Sequence, residues 1–283
     1  MPVTETTIEA NGMTFRARMA GGGGEPVILL HGFPETSHMY IPLMERLEGE
    51  GYRCLAPDQR GYSPGARPEG VENYRYHRLA EDIGAFADWM GADRFHLVGH
   101  DWGALAGWAY VCSMPERVLS WTALSVPHAQ AFGTAIRNDP DQAQRSQYVQ
   151  LFVQEGAAEA AFMANDWAVL KGVWSASDDA EKAEYFSVMS QPGALTAGFN
   201  WYRASNGIDP ANEEIVFGEV TTPTLLIWGN QDRAIGRTGV VDGEQYMKGS
   251  YRLLELDAGH WLVQEKPEEV VDAVLAHLKA NPA

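Results

Sequence analysis

Hydrophobic and polar positions along the chain follow two rhythms. Near the N-terminus, Thr6–Ala10 and Met13–Met19 alternate as half-buried strands do, and the Asn11-Gly12 pair between them predicts a tight hairpin. The glycine run Gly21–Gly24 reads as a flexible turn, because no helix opening with Lys-Ser/Thr follows it. Alternation then gives way to short continuous apolar runs at Pro26–Leu30, Tyr52–Ala56, Phe95–Val98 and Val118–Val126, the signature of strands buried on both faces. Helical periodicity separates them, over Tyr40–Leu47, His77–Met90 (with Leu79, Ile83, Phe86 and Met90 on one face) and Trp102–Cys112. Strands that alternate with helices over short connections predict an α/β fold: a mostly parallel sheet flanked by helices.

The rhythm breaks after Val126. From His128 to Phe217 the pattern is helical and aromatic, with no clear strand; the strand rhythm resumes at Thr224–Trp228 and Leu253–Leu256. A last helix, Pro267–Lys279, opens with Pro followed by Glu268 and Glu269, which suit its positive dipole end. The expected organisation is one α/β core, residues 1–127 and 218–283, with a helical cap, residues 128–217, inserted after the sixth strand.

Composition narrows the classes of function. The 283 residues suffice for a large core, and 45% hydrophobic against 21% charged is a globular balance. With 21 basic and 38 acidic residues the net charge is −17, which repels phosphate backbones and anionic lipid, so neither nucleic acid nor membrane is the expected partner. Cys54 and Cys112 lie in apolar patterns and read as buried free thiols. No basic segment followed by an apolar one opens the chain, and no apolar stretch is long enough to span a bilayer, so a cytoplasmic location is expected. No metal-ligand spacing and no dinucleotide fingerprint occurs, so no metal and no cofactor is expected. The pattern carries no signal for oligomeric state.

Candidate chemistry sits at strand ends. Gly99-His100-Asp101-Trp102-Gly103 follows a buried strand and opens a helix, the form of a nucleophile elbow with Asp101 where serine is usual. Alone, Asp101 fits a helix cap equally well. Asp232 in Trp228-Gly229-Asn230-Gln231-Asp232 and His260 in Asp257-Ala258-Gly259-His260-Trp261 each follow a later strand, where a turn Asp or a packed loop His would be unremarked. The order nucleophile, acid, histidine at one edge of a parallel sheet weighs against coincidence for the set. His31-Gly32-Phe33-Pro34 follows the first buried strand, where an oxyanion-hole loop belongs. Its Phe33 N–H and the Trp102 N–H are the expected donors, and Phe33, Pro34 and Trp102 the expected substrate contacts.

The segments HGFP, DQRGYSPGARP, GHDWG, WGNQD and AGHW resemble the α/β-hydrolase superfamily over nearly the whole chain. The aspartate at the elbow is similar to the branch of epoxide hydrolases and of haloalkane and haloacetate dehalogenases. A carboxylate with an ordinary pKa of about 3.9 is ionised at neutral pH and needs no base to attack saturated carbon. The resemblance implies an alkyl ester on Asp101, cleaved by water that His260 activates and Asp232 supports.

The leaving group separates the branches. Asn200-Trp201-Tyr202-Arg203 resembles the cap segment that carries an epoxide-polarising tyrosine. Tyr148, by its distance from Gln154-Glu155-Gly156, resembles the second such tyrosine. Either is also readable as a packing aromatic. Haloalkane dehalogenases often have Asn where Phe33 stands, and haloacetate dehalogenases usually have Arg where Trp102 stands. Opening of a small-molecule epoxide to a vicinal diol is therefore the leading expectation; a dehalogenase, or a non-catalytic binder on the same scaffold, is the alternative. His31 and His100 are expected to be structural, His128 to touch the cap hinge, and Met163, Trp167, Trp174 and Met189 to be core or pocket wall.

Overall fold

The Asn11-Gly12 turn forms as its residues require. Asn11 (φ 52°) and Gly12 (φ 73°) both take positive φ, and they join β1 (Thr4–Ala10) to β2 (Met13–Ala20) as an antiparallel pair. The computed structural model describes residues 2–205, 208, 210 and 214–283. After the hairpin come β3 (Pro26–Leu30), α1 (Ile41–Gly49), β4 (Arg53–Pro57), α2 (Tyr76–Trp89), β5 (Phe95–His100), α3 (Trp102–Ser113) and β6 (Val118–Leu124). One eight-stranded sheet results, ordered β1-β2-β4-β3-β5-β6, then β7 (Thr224–Gly229) and β8 (Tyr251–Leu256). β2 runs antiparallel to β1 and β4, and every other pair is parallel. The α/β-hydrolase architecture expected from the sequence is the one observed.

The apolar runs explain the layering. Every residue of β5, β6 and β7 is buried, because helices cover both faces of the sheet there. On α2 the residues Leu79, Ile83 and Phe86 are 2% exposed or less. Each such burial contributes roughly 1.5–3 kcal/mol.

Between β6 and β7 the chain makes α4 (Ala129–Asn138), α5 (Pro140–Arg145), α6 (Val149–Phe152), α7 (Ala157–Val173), α8 (Asp179–Met189) and α9 (Ala194–Ala204). α7 breaks at residues 164–167, where Asn165, Asp166 and Trp167 all have positive φ. That break corrects one expectation: Met163 is 47% exposed on the outer surface rather than part of the core. Trp174 and Met189 are buried, and Trp167 packs edge-on against Phe186. After β7 come α10 (Arg237–Asp242), then β8, the short α11 (Leu262–Glu265) and α12 (Pro267–Ala280). Among the described residues no helix is long and apolar enough to cross a membrane, and no group of three or more His, Cys, Asp and Glu could hold a metal ion.

Cys54 is buried and Cys112 half-buried; both are free, and burial pushes each thiol up to about 12, which leaves neither a nucleophile at neutral pH. His31 is fully buried, accepts the Gln59 N–H on Nε2 and stays neutral, its pKa lowered to about 4 by burial. His128 precedes α4 and stacks on Tyr246 at 4.2 Å.

Candidate active site

Loops at the carboxyl ends of β3, β5, β7 and β8 converge on Asp101. This residue follows β5 and stands at the N-cap position of α3 with φ 52° and ψ −117°, a backbone state that costs a residue with a side chain roughly 1–3 kcal/mol. The turn is this tight because nothing projects from its glycines. A Cβ on Gly103 would lie 2.1 Å from the Leu30 carbonyl oxygen, and one on Gly32 would lie 2.4 Å from the Asp101 side chain.

The two carboxylate oxygens of Asp101 differ. Oδ1 accepts from the Phe33 N–H at 2.8 Å, and the Trp102 N–H adds a second backbone hydrogen bond to the carboxylate. Oδ2 lies 3.4 Å from His260 Nε2. Burial pushes the Asp101 pKa up, but hydrogen bonding to His260 and the charge of that ring outweigh it, and the net shift is downward.

His260 is held on several sides. Its carbonyl accepts from His100 Nε2 at 2.9 Å and from Ser125 Oγ at 2.8 Å. The flanking N–H groups of Gly259 and Trp261 donate to Glu265, at 2.6 and 3.2 Å. With the backbone fixed, the ring donates from Nδ1 to Asp232 Oδ2 at 2.7 Å and turns Nε2 towards Asp101. Asp232 is itself fixed: Oδ1 accepts from the N–H groups of Ala234 (2.7 Å) and Ile235 (3.0 Å). Burial opposes the imidazolium, yet the charge of Asp232 and the bonds to both carboxylates raise the His260 pKa well above its ordinary value. On the far side of His100 the fully buried Glu35 stands 3.3 Å from Nδ1 and accepts from Gln264.

A cavity of about 380 Å³ opens over Asp101 and His260, lined chiefly by Phe33, Tyr148, Phe152, Phe162, Tyr202 and Trp261. Tyr148 and Tyr202 reach it from α6 and α9, their rings 6.4 Å apart and steeply inclined. Burial first, and then the charge of Asp101, raise both phenol pKa values above the ordinary 10, so both hydroxyls keep their protons at any working pH.

Known proteins place the chain in a family. Residues 25–267 match the family model described as alpha/beta hydrolase fold. The chain belongs to the α/β-hydrolase family. This hydrolase is 32% identical to the AB hydrolase superfamily protein YfhM of Bacillus subtilis, with 96% of each chain covered. It is 31% identical to epoxide hydrolase A of Mycobacterium tuberculosis over 97% of each chain. The crystal structure of epoxide hydrolase A from Mycobacterium thermoresistibile superposes with a TM-score of 0.83 at 27% identity, with 99% of each chain covered.

The hydrolase thus brings Asp101, His260, Asp232, Tyr148, Tyr202 and the two backbone donors into one place. Two expected substrate contacts stand elsewhere. Trp102 is 1% exposed; as the first residue of α3 its ring turns inward against Tyr76 and Tyr202, where its side chain hydrogen-bonds the Tyr202 phenol, and its N–H serves Asp101. Pro34 is buried behind the cavity wall, its carbonyl accepting from Trp174 Nε1. The wall is built instead by Phe152, Phe162 and Trp261, whose aromatic character is visible in the sequence but whose convergence is not.

Proposed function

We propose that this hydrolase opens epoxides to vicinal diols through a covalent ester on Asp101, with the helices between β6 and β7 acting as a cap. The observation that carries the proposal is an ionised carboxylate at the elbow whose Oδ2 faces both an imidazole and a cavity holding two protonated tyrosines. Oδ2 attacks an epoxide carbon, the ring C–O bond breaks, and the departing oxygen takes a proton from Tyr148 or Tyr202. Oδ1, held by the Phe33 N–H, becomes the ester carbonyl oxygen, with the Trp102 N–H also bonded to this carboxylate. His260 Nε2 then removes a proton from water, which attacks the Asp101 carboxyl carbon. Negative charge forms on Oδ1, where the Phe33 N–H already points. Collapse releases the diol oxygen, which takes the proton from His260, and the proton left on the Asp101 carboxyl restores the tyrosine that gave up its own.

The raised pKa of His260 fits this order. Two carboxylates favour the imidazolium in the resting enzyme. Esterification removes the charge of Asp101 and with it one of the two, so the ring becomes free to act as a base once an ester exists. Asp101→Asn imitates the loss of charge, and the pKa of His260 in that variant should fall below that of the parent. An NMR titration of the imidazole nitrogens reads this directly; an unchanged or higher value would remove the argument.

The reaction itself is tested by presenting aryl and alkyl epoxides, haloalkanes and haloacetate, with diol and halide measured in the same vessels. Diol from epoxides without halide release is the expected result. Halide release without diol would assign the same carboxylate to dehalogenation, and saturable binding with no turnover would leave only a binding role.

A further inference from the structure

The segment that delivers Tyr148 also grips the loop that delivers Asp232. α5 lies immediately before Tyr148, and its Gln142 is fully buried. The Gln142 amide donates from Nε2 to the Ala234 carbonyl at 2.8 Å and to Ser146 Oγ at 3.0 Å, and its Oε1 accepts the Gly236 N–H at 2.7 Å. One turn on, Arg145 Nη1 donates to the carbonyl of Asp232 at 2.6 Å. At the start of the helix Asp139 accepts from Thr238 Oγ1 at 2.5 Å. The 232–238 loop is therefore tied to α5 at four of its residues. The approach is close enough that a Cβ on Gly236 would lie 3.1–3.3 Å from Asp141, Gln142 and Arg145.

The core holds the other side of this loop, where Trp228 Nε1 donates to the Ile235 carbonyl at 3.2 Å and Arg237 to Glu255 at 2.6 Å, while α5 holds its cap side. Asp232 takes its geometry from the Ala234 and Ile235 N–H groups, so a shift of residues 234–236 moves the carboxylate that orients His260. The backbone of α5 continues through Ser146, a Gln142 partner, directly to Tyr148. An unpaired amide at this depth would be costly, so the pattern of two donors and one acceptor imposes a single register.

We infer that Gln142 is a positioning residue that sets Tyr148 and the Asp232–His260 pair in one geometry, so that ring opening and ester hydrolysis depend on the same buried amide. This rests on the epoxide-hydrolase reading above. It differs from a purely structural role in a measurable way: loss of Gln142 should slow both chemical steps, whereas Tyr148→Phe should slow only the first. Misplacement of reacting groups by about 1 Å costs on the order of 100-fold, so a partial loosening is expected to cost roughly 10- to 100-fold in each step.

The experiment is a rapid-quench comparison of the full-length parent, Gln142→Leu, Gln142→Glu and Tyr148→Phe with styrene oxide, below the melting temperature of each. Gln142→Leu should show lower rate constants for alkylation and for ester hydrolysis. Gln142→Glu adds a pH signature. Protonated, its carboxyl can still donate to the Ala234 carbonyl; ionised, it cannot, and it faces that oxygen with negative charge. Activity relative to the parent should therefore stand near one in acid and fall as pH rises. If Gln142→Leu does not fold, the pH ratio of Gln142→Glu decides alone. Parent-like rate constants in a folded Gln142→Leu, or a ratio that is flat with pH, would overturn the inference while leaving the epoxide reading intact. Absence of styrene oxide turnover in the parent, alongside halide release from haloalkanes, would overturn both.

Discussion

Replacing His260 with glutamine is expected to convert the hydrolase into a single-turnover trap. Asp101 is already ionised, and its pKa is lowered rather than raised, so attack on the epoxide needs no base. The second step differs, because water must lose a proton to attack an ester, and a glutamine in place of His260 accepts none. A general base typically accounts for 10² to 10⁴ in rate, so kcat should fall by about 10³-fold or more while one equivalent of substrate still reacts. The adduct should weigh as much as the intact epoxide, since ring opening adds every atom of the substrate to the enzyme. Intact-protein mass spectrometry reads this within minutes of mixing, and peptide mapping should place the mass on Asp101. A folded His260→Gln that forms no adduct, or that turns over like the parent, is incompatible with an ester intermediate.

The same steps show why some of this site is legible in sequence and some is not. Asp101, Asp232 and His260 each follow a strand of the sheet within a few residues, the first two after fully buried strands and His260 after the half-exposed β8, so local pattern and chain order suffice to group them. Their distances then follow from a parallel sheet that puts all strand ends on one edge. Phe33 and Trp102 donate through backbone groups, and position rather than side chain marks them. The side chain of Trp102 misleads for that reason: it looks like a substrate contact and is core. Met163 misleads differently: the sequence from His128 to Phe217 reads as helical and aromatic, and nothing in it marks the backbone break at residues 164–167 beside which Met163 stands exposed. Gln142 and Arg145 leave no local signal at all. Their partners in the 232–238 loop lie 87 to 94 residues away, and a glutamine in a short polar helix otherwise reads as solvated surface. Phe152 and Phe162 form a ring cluster with Phe33 and Phe199 that only the fold assembles.

Removing both tyrosine hydroxyls should slow the first step severely and spare the second. In Tyr148→Phe/Tyr202→Phe the departing ring oxygen meets a cavity with no phenol, and an alkoxide is too basic to leave unaided. Loss of one donor to a developing oxyanion costs about 10²- to 10³-fold where no other replaces it. Here each tyrosine can partly cover for the other, so single variants should lose roughly 10- to 100-fold in alkylation and the double variant on the order of 10³-fold or more. The timing of acid strength supports the assignment. Burial and the charge of Asp101 hold the two phenol pKa values high before attack. As Asp101 forms its bond that charge disappears, and both hydroxyls become stronger acids at the moment the oxygen needs a proton. Trp102 packs 5.0 Å from Tyr202 and borders the Asp101 backbone, so stopped-flow tryptophan fluorescence should follow alkylation in real time. An ester formed slowly in the double variant should still hydrolyse at the parental rate, because His260 and Asp232 are untouched. Alkylation near the parental rate without either hydroxyl would mean the leaving group needs no proton, which points to halide and away from an epoxide.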